Sequence, residues 1–457
     1  MTARLRVCPQ KAPLHGSVPI ASDVSIANRA LIFAALGDGT STLSGYSGAG
    51  HNELMRQGLA QLGALSERDG TTLRIEGVGI RGLRPSGAEI DCGDSREVFE
   101  LLSGLVAPQP FKTRLKASGR LLDRPCNALV ASLRTFGTPA TGTMGTFSTG
   151  ELFPPVQFNG ATGNALAPGG DYQLDVCQPG IKSALLFAGL FASGPTQVVE
   201  SVVTRDHTER LLDTVGFRLS RAASLLCLEP PEPNADIAPF EMELPGDITL
   251  ASWLLASAAV VPDSHVVIRR TGINPSRAGV LDVFKAMGAG LNVRAEGHRG
   301  GEPVGELTML GAGLRALNLE GELSCRTVNE FPILALLSVR AQGRSELSLE
   351  QLETTDNPEI AGRTAELLLR FGVRAGLSDG VLQIDGDPNA QLRAATVDAA
   401  DDPQLILLAL SLALLADGES VISGIDGIAN VFPRMVGTFK ALGANLSVES
   451  EDATNGS

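Results

Sequence analysis

In the stretch ASDVSIANRALIFAALGDGT, residues 21–40, a hydroxyl, an amide and a guanidinium fall close together as Ser25, Asn28 and Arg29. Such a group can dock an anion: the guanidinium brings charge and paired N–H donors, and the two neutral side chains bring directed hydrogen bonds. A lysine beside them would complete the site, but position 24 is Val24. The chemistry open to this stretch is recognition of a carboxylate or phosphate with fewer cations than the task invites.

The elements that must position these residues are legible as an internal repeat, and repeats decide architecture. An apolar, Ala/Leu-rich helix runs into a small-residue turn, then a β-branched strand, an amphipathic helix ending in glycine, and another strand. The pattern recurs about six times, with apolar helices beginning near Asn28, Val98, Ser183, Ala251, Phe331 and Gln404. The closing glycines stand in LAQLGAL (59–65), LRTFGT (133–138), LDTVGF (212–217), FKAMGAG (284–290), LLRFGV (368–373) and FKALGAN (439–445). Each fits a helix C-terminus, where a positive φ is free of steric cost only for glycine. Helices such as SALLFAGLFA (183–192) are apolar almost all round and require burial on every side. The order predicts α/β units whose sheets pack outward over buried helices. Three units per domain give two similar domains, joined near the proline-rich EPPEPNADIAP (229–239). An ordinary doubly wound sheet would carry amphipathic helices on its faces instead.

Composition bounds the partner. The chain has 457 residues, 43% of them apolar, which is enough for two large cores. A formal charge of −14 argues against nucleic acid or an anionic membrane and for a small-molecule substrate. The six cysteines, Cys8, Cys92, Cys126, Cys177, Cys227 and Cys325, show no short paired spacing of the kind zinc or a redox dithiol requires, so no metal and no cofactor is expected. The start MTARLRVCPQKAP lacks a signal-peptide core, and the longest apolar run, LILLALSLALLA (405–416), is too short to span a bilayer, which leads to an expectation of cytoplasmic residence. A monomer or weak homo-oligomer is expected.

Longer segments carry a family likeness. IKSALLFAGLFASG (181–194), TRDHTERLL (204–212), LPGDITLASWLLASAAVVP (244–262) and TGINPSRAGVLDVFKAMGAG (271–290) resemble EPSP synthase, the 3-phosphoshikimate 1-carboxyvinyltransferase, and the likeness runs from about residue 10 to 448. It implies an enolpyruvyl transferase fold, an inside-out α/β barrel in which each of two domains holds three βαβαββ units. Residues 1–22 and 243–457 would form one domain and 23–242 the other, with the ligand cleft between them. The family transfers the enolpyruvyl group of phosphoenolpyruvate to the 5-hydroxyl of shikimate 3-phosphate, a reaction that brings two anions side by side and needs cations to offset their repulsion.

Carried over residue by residue, the likeness is uneven. Ser25 and Arg29 match positions that hold the shikimate hydroxyl and carboxylate, while Val24 stands for the phosphate-binding lysine. In CGDSREVFELL (92–102), Arg96, Glu97 and Glu100 replace the Gly, Thr and Arg of the loop that admits phosphoenolpyruvate. Arg96 then intrudes into the pocket, or the segment is a solvated helix start capped by Asp94. Arg124 and Pro125 are kept, which leaves Arg124 as an anion ligand. Gln178, Pro179 and Gly180 replace the segment whose hydroxyls bind the 3-phosphate and whose Gln covers the ring, although backbone N–H groups at this helix start remain able to bind an anion. Lys182 and Arg205 match the family as ligand contacts, while the neighbouring Asp206, His207 and Glu209 read as helix-start residues. Asn329 replaces the proposed proton-transfer Asp and keeps its shape without its basicity, and Glu330 follows it. Glu353, Thr354 and Asn357 replace the catalytic Lys, the catalytic Glu and a phosphoenolpyruvate-binding Arg, while Asp402 and Pro403 replace a His and an Arg.

Each lost charge-assisted contact is worth about 1.5–3 kcal/mol. The expectation is therefore a diverged enzyme that binds a shikimate-type cyclic carboxylate, phosphorylated or not, through Ser25, Arg29, Arg205 and Arg124, with contributions from Arg96, Gln178 and Lys182. It would act by elimination of phosphate or water, without phosphoenolpyruvate. Glu353, Glu330 and Asn329 are the candidate catalytic residues, with Glu100 a second candidate base. Carboxyvinyl transfer itself and a non-catalytic binding or scaffold role are the alternatives.

Overall fold

The computed structural model describes residues 3–145, 150–160, 168–232, 235–350 and 359–450. The chain divides into two compact units, one formed by Met1–Ala21, Gly246–Gly297 and Pro303–Ser457, the other by Ser22–Pro245 and His298–Glu302. The second unit runs past the expected residue 242 for a structural reason. Strand Glu241–Glu243 pairs in parallel with Asp38–Ser44, and the Leu244 N–H then donates to Ser44 O, so this segment completes a sheet of that unit.

Among the described residues each unit shows three sheets of one design, a parallel edge pair followed by antiparallel strands. In the second unit the order is Ile90–Asp91, Thr113–Lys116, Leu152–Phe158 and Ala140–Met144 in one sheet, and Gly170–Leu174, Thr196–Glu200, Leu225–Leu228 and Leu219–Ala222 in another. The third sheet places Glu241–Glu243 beside Asp38–Ser44, Thr72–Val78 and Ser66–Asp69. The first unit draws on the N-terminal segment twice. Ala3–Val7 lies antiparallel between Ser420–Ser423 and Leu446–Ser450, and His15–Val18 pairs in parallel with His265–Gly272.

The six apolar segments form helices. Val24–Ala35, Arg96–Val106 and Pro179–Gly189 belong to the second unit, and Ile248–Val260, Phe331–Val339 and Pro403–Leu414 to the first. Their apolar residues are buried all round: Leu185, Leu186 and Phe187 are each 0% exposed, as are Leu254, Leu336 and Leu408. A sheet contributes one apolar face and these helices have no polar one, so the helices take the inside and the sheets the outside. The six closing glycines, Gly63, Gly137, Gly216, Gly288, Gly372 and Gly443, all adopt positive φ between 77° and 110°, as helix-terminating glycines do.

One crossing in the second unit is unusually close. A Cβ built on Gly104 of helix Arg96–Val106 would lie 2.3 Å from the Ala184 carbonyl oxygen and 2.5 Å from the Ala184 Cα, in helix Pro179–Gly189. The two backbones are in contact, which fixes the relation between the helix starts that carry Glu97, Glu100 and Gly180. Because the obstructing atoms are backbone, Gly104→Ala should destabilise the second unit by about 1–3 kcal/mol, the range for overpacking a core. Urea unfolding of the variant beside the parent chain checks this, and Gly362→Ala, where a Cβ meets only Leu377 Cδ1 at 4.0 Å, should be close to neutral or stabilising.

Candidate functional site

Ser25 and Glu97 lie in the first turns of two buried helices of the second unit, Gln178 directly precedes the third, and Arg29 and Glu100 lie just beyond the first turn of theirs. Asp23, in extended conformation, caps helix Val24–Ala35 by accepting from the Ile26 N–H at 2.9 Å. Ser95 caps helix Arg96–Val106 by accepting from the Val98 N–H at 3.3 Å. The expected cap, Asp94, instead faces His51 at 3.3 Å: the helix begins one residue later than that reading required. Pro179 opens the third helix, where its missing N–H removes one unpaired donor.

Arg29 is 4% exposed, and four of its five guanidinium N–H donors are hydrogen-bonded. Nε donates to Thr208 Oγ1 at 2.8 Å, Nη2 to Ser183 Oγ at 3.0 Å, and Nη1 both to Ser25 O at 2.8 Å and to Glu97 Oε1 at 2.6 Å. Glu97 Oε2 accepts from Asn28 Nδ2 at 3.2 Å. Burial pushes the Glu97 carboxyl up, but the Arg29 charge, hydrogen bonds from Arg29 and Ser25, and the nearby Arg205 charge outweigh it and hold the group below its ordinary 4.5. Asn28 and Arg29 hydrogen-bond Glu97, and Ser25 and the charge of Arg205 also act on it, so the anion at this cluster is the chain's own carboxylate.

The neighbouring segment also differs from a solvated helix start. Glu100 is 7% exposed, and its Oε1 accepts from Arg96 Nε at 2.8 Å. A Cβ on Gly180 would stand 1.6 Å from Glu100 Oε2, so the carboxylate lies directly on the backbone of the first turn of helix Pro179–Gly189. Gln178 is the residue preceding that helix, and its side chain makes no cap hydrogen bond. Arg124 sits half-buried at the end of the short 3₁₀ turn Gly119–Asp123.

Lys182 is placed differently from the expectation of a ligand contact. Its side chain is 0% exposed, with Nζ 3.1 Å from Glu200 Oε2 and 2.8 Å from Glu209 Oε1. An ammonium enclosed by two carboxylates has no face left for a ligand, and its role here is to hold strand Thr196–Glu200 and helix His207–Thr214 against the buried helix. Glu209, read from sequence as a helix-start residue, also accepts from Arg221 Nη2 at 2.8 Å. His207 Nδ1 is 2.7 Å from Glu302 Oε1, and both residues are buried. No local spacing announces these pairs, because the partners are 18, 27 and 95 residues apart.

In the first unit, Glu330 is 0% exposed and its Oε1 accepts from Arg277 Nη1 at 2.7 Å and from the Thr249 hydroxyl at 2.5 Å. That enclosure keeps Glu330 paired and away from solvent. Arg277 went unremarked in the sequence, although it lies within TGINPSRAG. Asn329 is half-buried beside Glu330, and its carbonyl accepts from Gln404 Nε2 at 3.2 Å. Asp402 caps helix Pro403–Leu414 by accepting from the Gln404 and Leu405 N–H groups. Glu353 lies outside the described residues, as do Thr354 and Asn357. Among the described residues no helix is long and apolar enough to cross a membrane.

Buried helices enclosed by three like sheets per unit, with polar residues collected at helix starts, define the enolpyruvyl transferase fold. A family model for EPSP synthase (3-phosphoshikimate 1-carboxyvinyltransferase) matches residues 9–439, and the chain belongs to this family. It is 32% identical over 421 residues to a 3-phosphoshikimate 1-carboxyvinyltransferase of Herpetosiphon aurantiacus, covering 92% of this chain and 95% of that protein. It is 31% identical over 437 residues to one from Coxiella burnetii, covering 95% and 96%. Among solved structures, the EPSP synthase of Acinetobacter baumannii superposes with a TM-score of 0.86 at 26% identity, covering 98% of this chain and all of that one. The enolpyruvyl transferase NikO of Streptomyces tendae superposes with a TM-score of 0.75 at 18% identity, covering 99% and 100%, which shows the shared fold.

Two predictions follow from the ion pairs. Lys182→Met strands Glu200 without its cation and leaves Glu209 only Arg221, and should lower unfolding free energy by about 3–5 kcal/mol, as breaking a buried pair does; chemical denaturation measures it. For Glu97 the sign is set by its depressed native value. The native carboxylate stays ionised where the unfolded one has already taken a proton, so its stabilisation is present above pH 4.5 and is lost as pH falls through the lower native value. Glu97→Gln removes that contribution. The stability gap between parent and variant should therefore be constant from pH 5.5 upward and shrink below about pH 4.5; urea midpoints across pH 3.5–6.5 would show a constant gap if the pairing were of no consequence.

Proposed function

We propose that this chain is an enzyme acting on a shikimate-type cyclic carboxylate, and that carboxyvinyl transfer to 3-phosphoshikimate is the activity with the broadest support. The observation that carries it is whole-length likeness: relatives named for that activity match over more than nine-tenths of both chains. In this reading Ser25, Arg29 and Arg205 hold the ring's hydroxyl and carboxylate, with Arg124, Arg96 and Gln178 at its margin. Lys182 and Glu330 act as positioning residues. Asn329 supplies hydrogen bonds without acting as a base, since an amide takes no proton at neutral pH.

A second reading is favoured by a specific observation, the carboxylates already seated on Arg29 and on the start of helix Pro179–Gly189. With Val24 and Glu353 where the family has lysine, a doubly anionic donor meets little positive charge. Elimination from the ring alone, with Glu353 or Glu100 taking a proton and an arginine supporting the departing group, then suits the remaining side chains.

The two chemistries release phosphate from different molecules. In carboxyvinyl transfer it leaves phosphoenolpyruvate, and in elimination it leaves the ring. Purified chain incubated with 3-phosphoshikimate should release phosphate only when phosphoenolpyruvate is added, with an enolpyruvyl ether as the ring product. Release without the donor, together with a ring carrying a new double bond, would support elimination instead. No release and no binding would leave a non-catalytic role.

A further inference from the structure

Two carboxylates of one helical turn occupy the two places in the second unit best suited to a ligand's anion. Glu97 Oε1 is 2.6 Å from Arg29 Nη1, and three more of the five Arg29 N–H donors go to Thr208, Ser183 and the Ser25 carbonyl. Glu100 rests on the Gly180 backbone, at an end of helix Pro179–Gly189 that has no acidic residue in its own first turn. The first N–H groups of a helix lack internal partners and carry the positive end of the helix dipole, so a carboxylate there is stabilised as a bound anion would be. Gly180 leaves room for the approach: a Cβ there would stand 1.6 Å from Glu100 Oε2 and push the carboxylate aside. Glu97 and Glu100 are three residues apart on helix Arg96–Val106, and the backbone contact of Gly104 with Ala184 holds that helix rigidly to its neighbour.

We infer that Glu97 and Glu100 are specificity-determining residues that act as resident anions: a ligand's carboxylate or phosphate reaches Arg29 or the Gly180 helix start only by displacing one of them. Each anionic group on a ligand then binds more weakly than the same cation and helix end would otherwise allow, and ligands are graded by how many such groups they present here. The effect is independent of which reaction follows. It rests on the proposed function only for the identity of the ring ligand.

The test titrates the full chain calorimetrically with shikimate, which offers one carboxylate, and separately with inorganic phosphate. Glu97→Gln keeps shape and removes charge, and should tighten shikimate binding at least tenfold; adding Arg29→Met should abolish the gain. Glu100→Gln should tighten phosphate binding by a similar factor, and Glu100→Ala, which also clears the space above Gly180, by more. Thermal melting of each variant identifies any that fails to fold, and Gly180→Ala should melt lower than the parent but recover when combined with Glu100→Ala. Unchanged or weaker binding of both probes by folded Gln variants overturns the inference, as does a gain at Glu97→Gln that survives loss of Arg29. A phosphate gain in a chain that turns over no 3-phosphoshikimate upholds the inference while the proposed function fails. Turnover by the parent with no gain in any variant does the reverse.

Discussion

Everything in this molecule follows from helices that have no polar face. A helix apolar all round cannot lie against water on any side, so it must be enclosed, and three of them can share an interior only if the sheets lie outside. In the second unit that enclosure is tight enough for the backbone at Gly104 to touch the backbone at Ala184. The helix bodies keep only a few buried hydroxyls, such as Ser257 and Ser411, and the charged chemistry collects toward the helix starts, at capping residues, unpaired N–H groups and the side chains of the first two turns. Arg29, Glu97, Glu100 and Gly180 all stand there.

That constraint explains what the sequence disclosed. The six buried helices were legible because a fully apolar run has few other destinies, and each begins within about four residues of its expected start. Their partners' closing glycines were legible because positive φ selects strongly for glycine, and all six show it. The nearness of Ser25, Asn28 and Arg29 was legible from their spacing alone. The partners of those residues were not. Glu200 and Glu209 lie 18 and 27 residues from Lys182, and only the three-dimensional path of the chain brings them to its ammonium. Periodicity reports which side of an element is buried, and it carries no information about which buried charge meets which.

The same gap changes the meaning of the missing cations. Counted along the chain, the loss of lysine and arginine at positions such as Val24 and Glu100 reads as a pocket stripped of charge. In three dimensions the cations that are present are engaged, whether matched or gained: Arg29 with Glu97, Arg96 with Glu100, and Lys182 with Glu200 and Glu209. An occupied cation and an absent one both leave a ligand's anion without a partner, yet they differ physically. An absent cation cannot be recovered, whereas a paired one becomes available when its carboxylate moves or takes a proton, at the free-energy difference between two ion pairs of similar kind.

The two units illustrate opposite ends of that scale. Glu330 is wholly buried against Arg277 and Thr249, and separating it from them would strand a charge away from water, so this pair behaves as a fixed part of the scaffold. Glu97 keeps about a quarter of its side chain exposed while Arg29 keeps almost none. If the pair opened, the carboxylate would move toward solvent and recover hydration, while the guanidinium would stay held by Thr208, Ser183 and Ser25. Asymmetric burial of this sort makes one partner the stationary receptor and the other the movable occupant. In this pair Arg29 is the held partner, and Glu97 is the one whose release costs least.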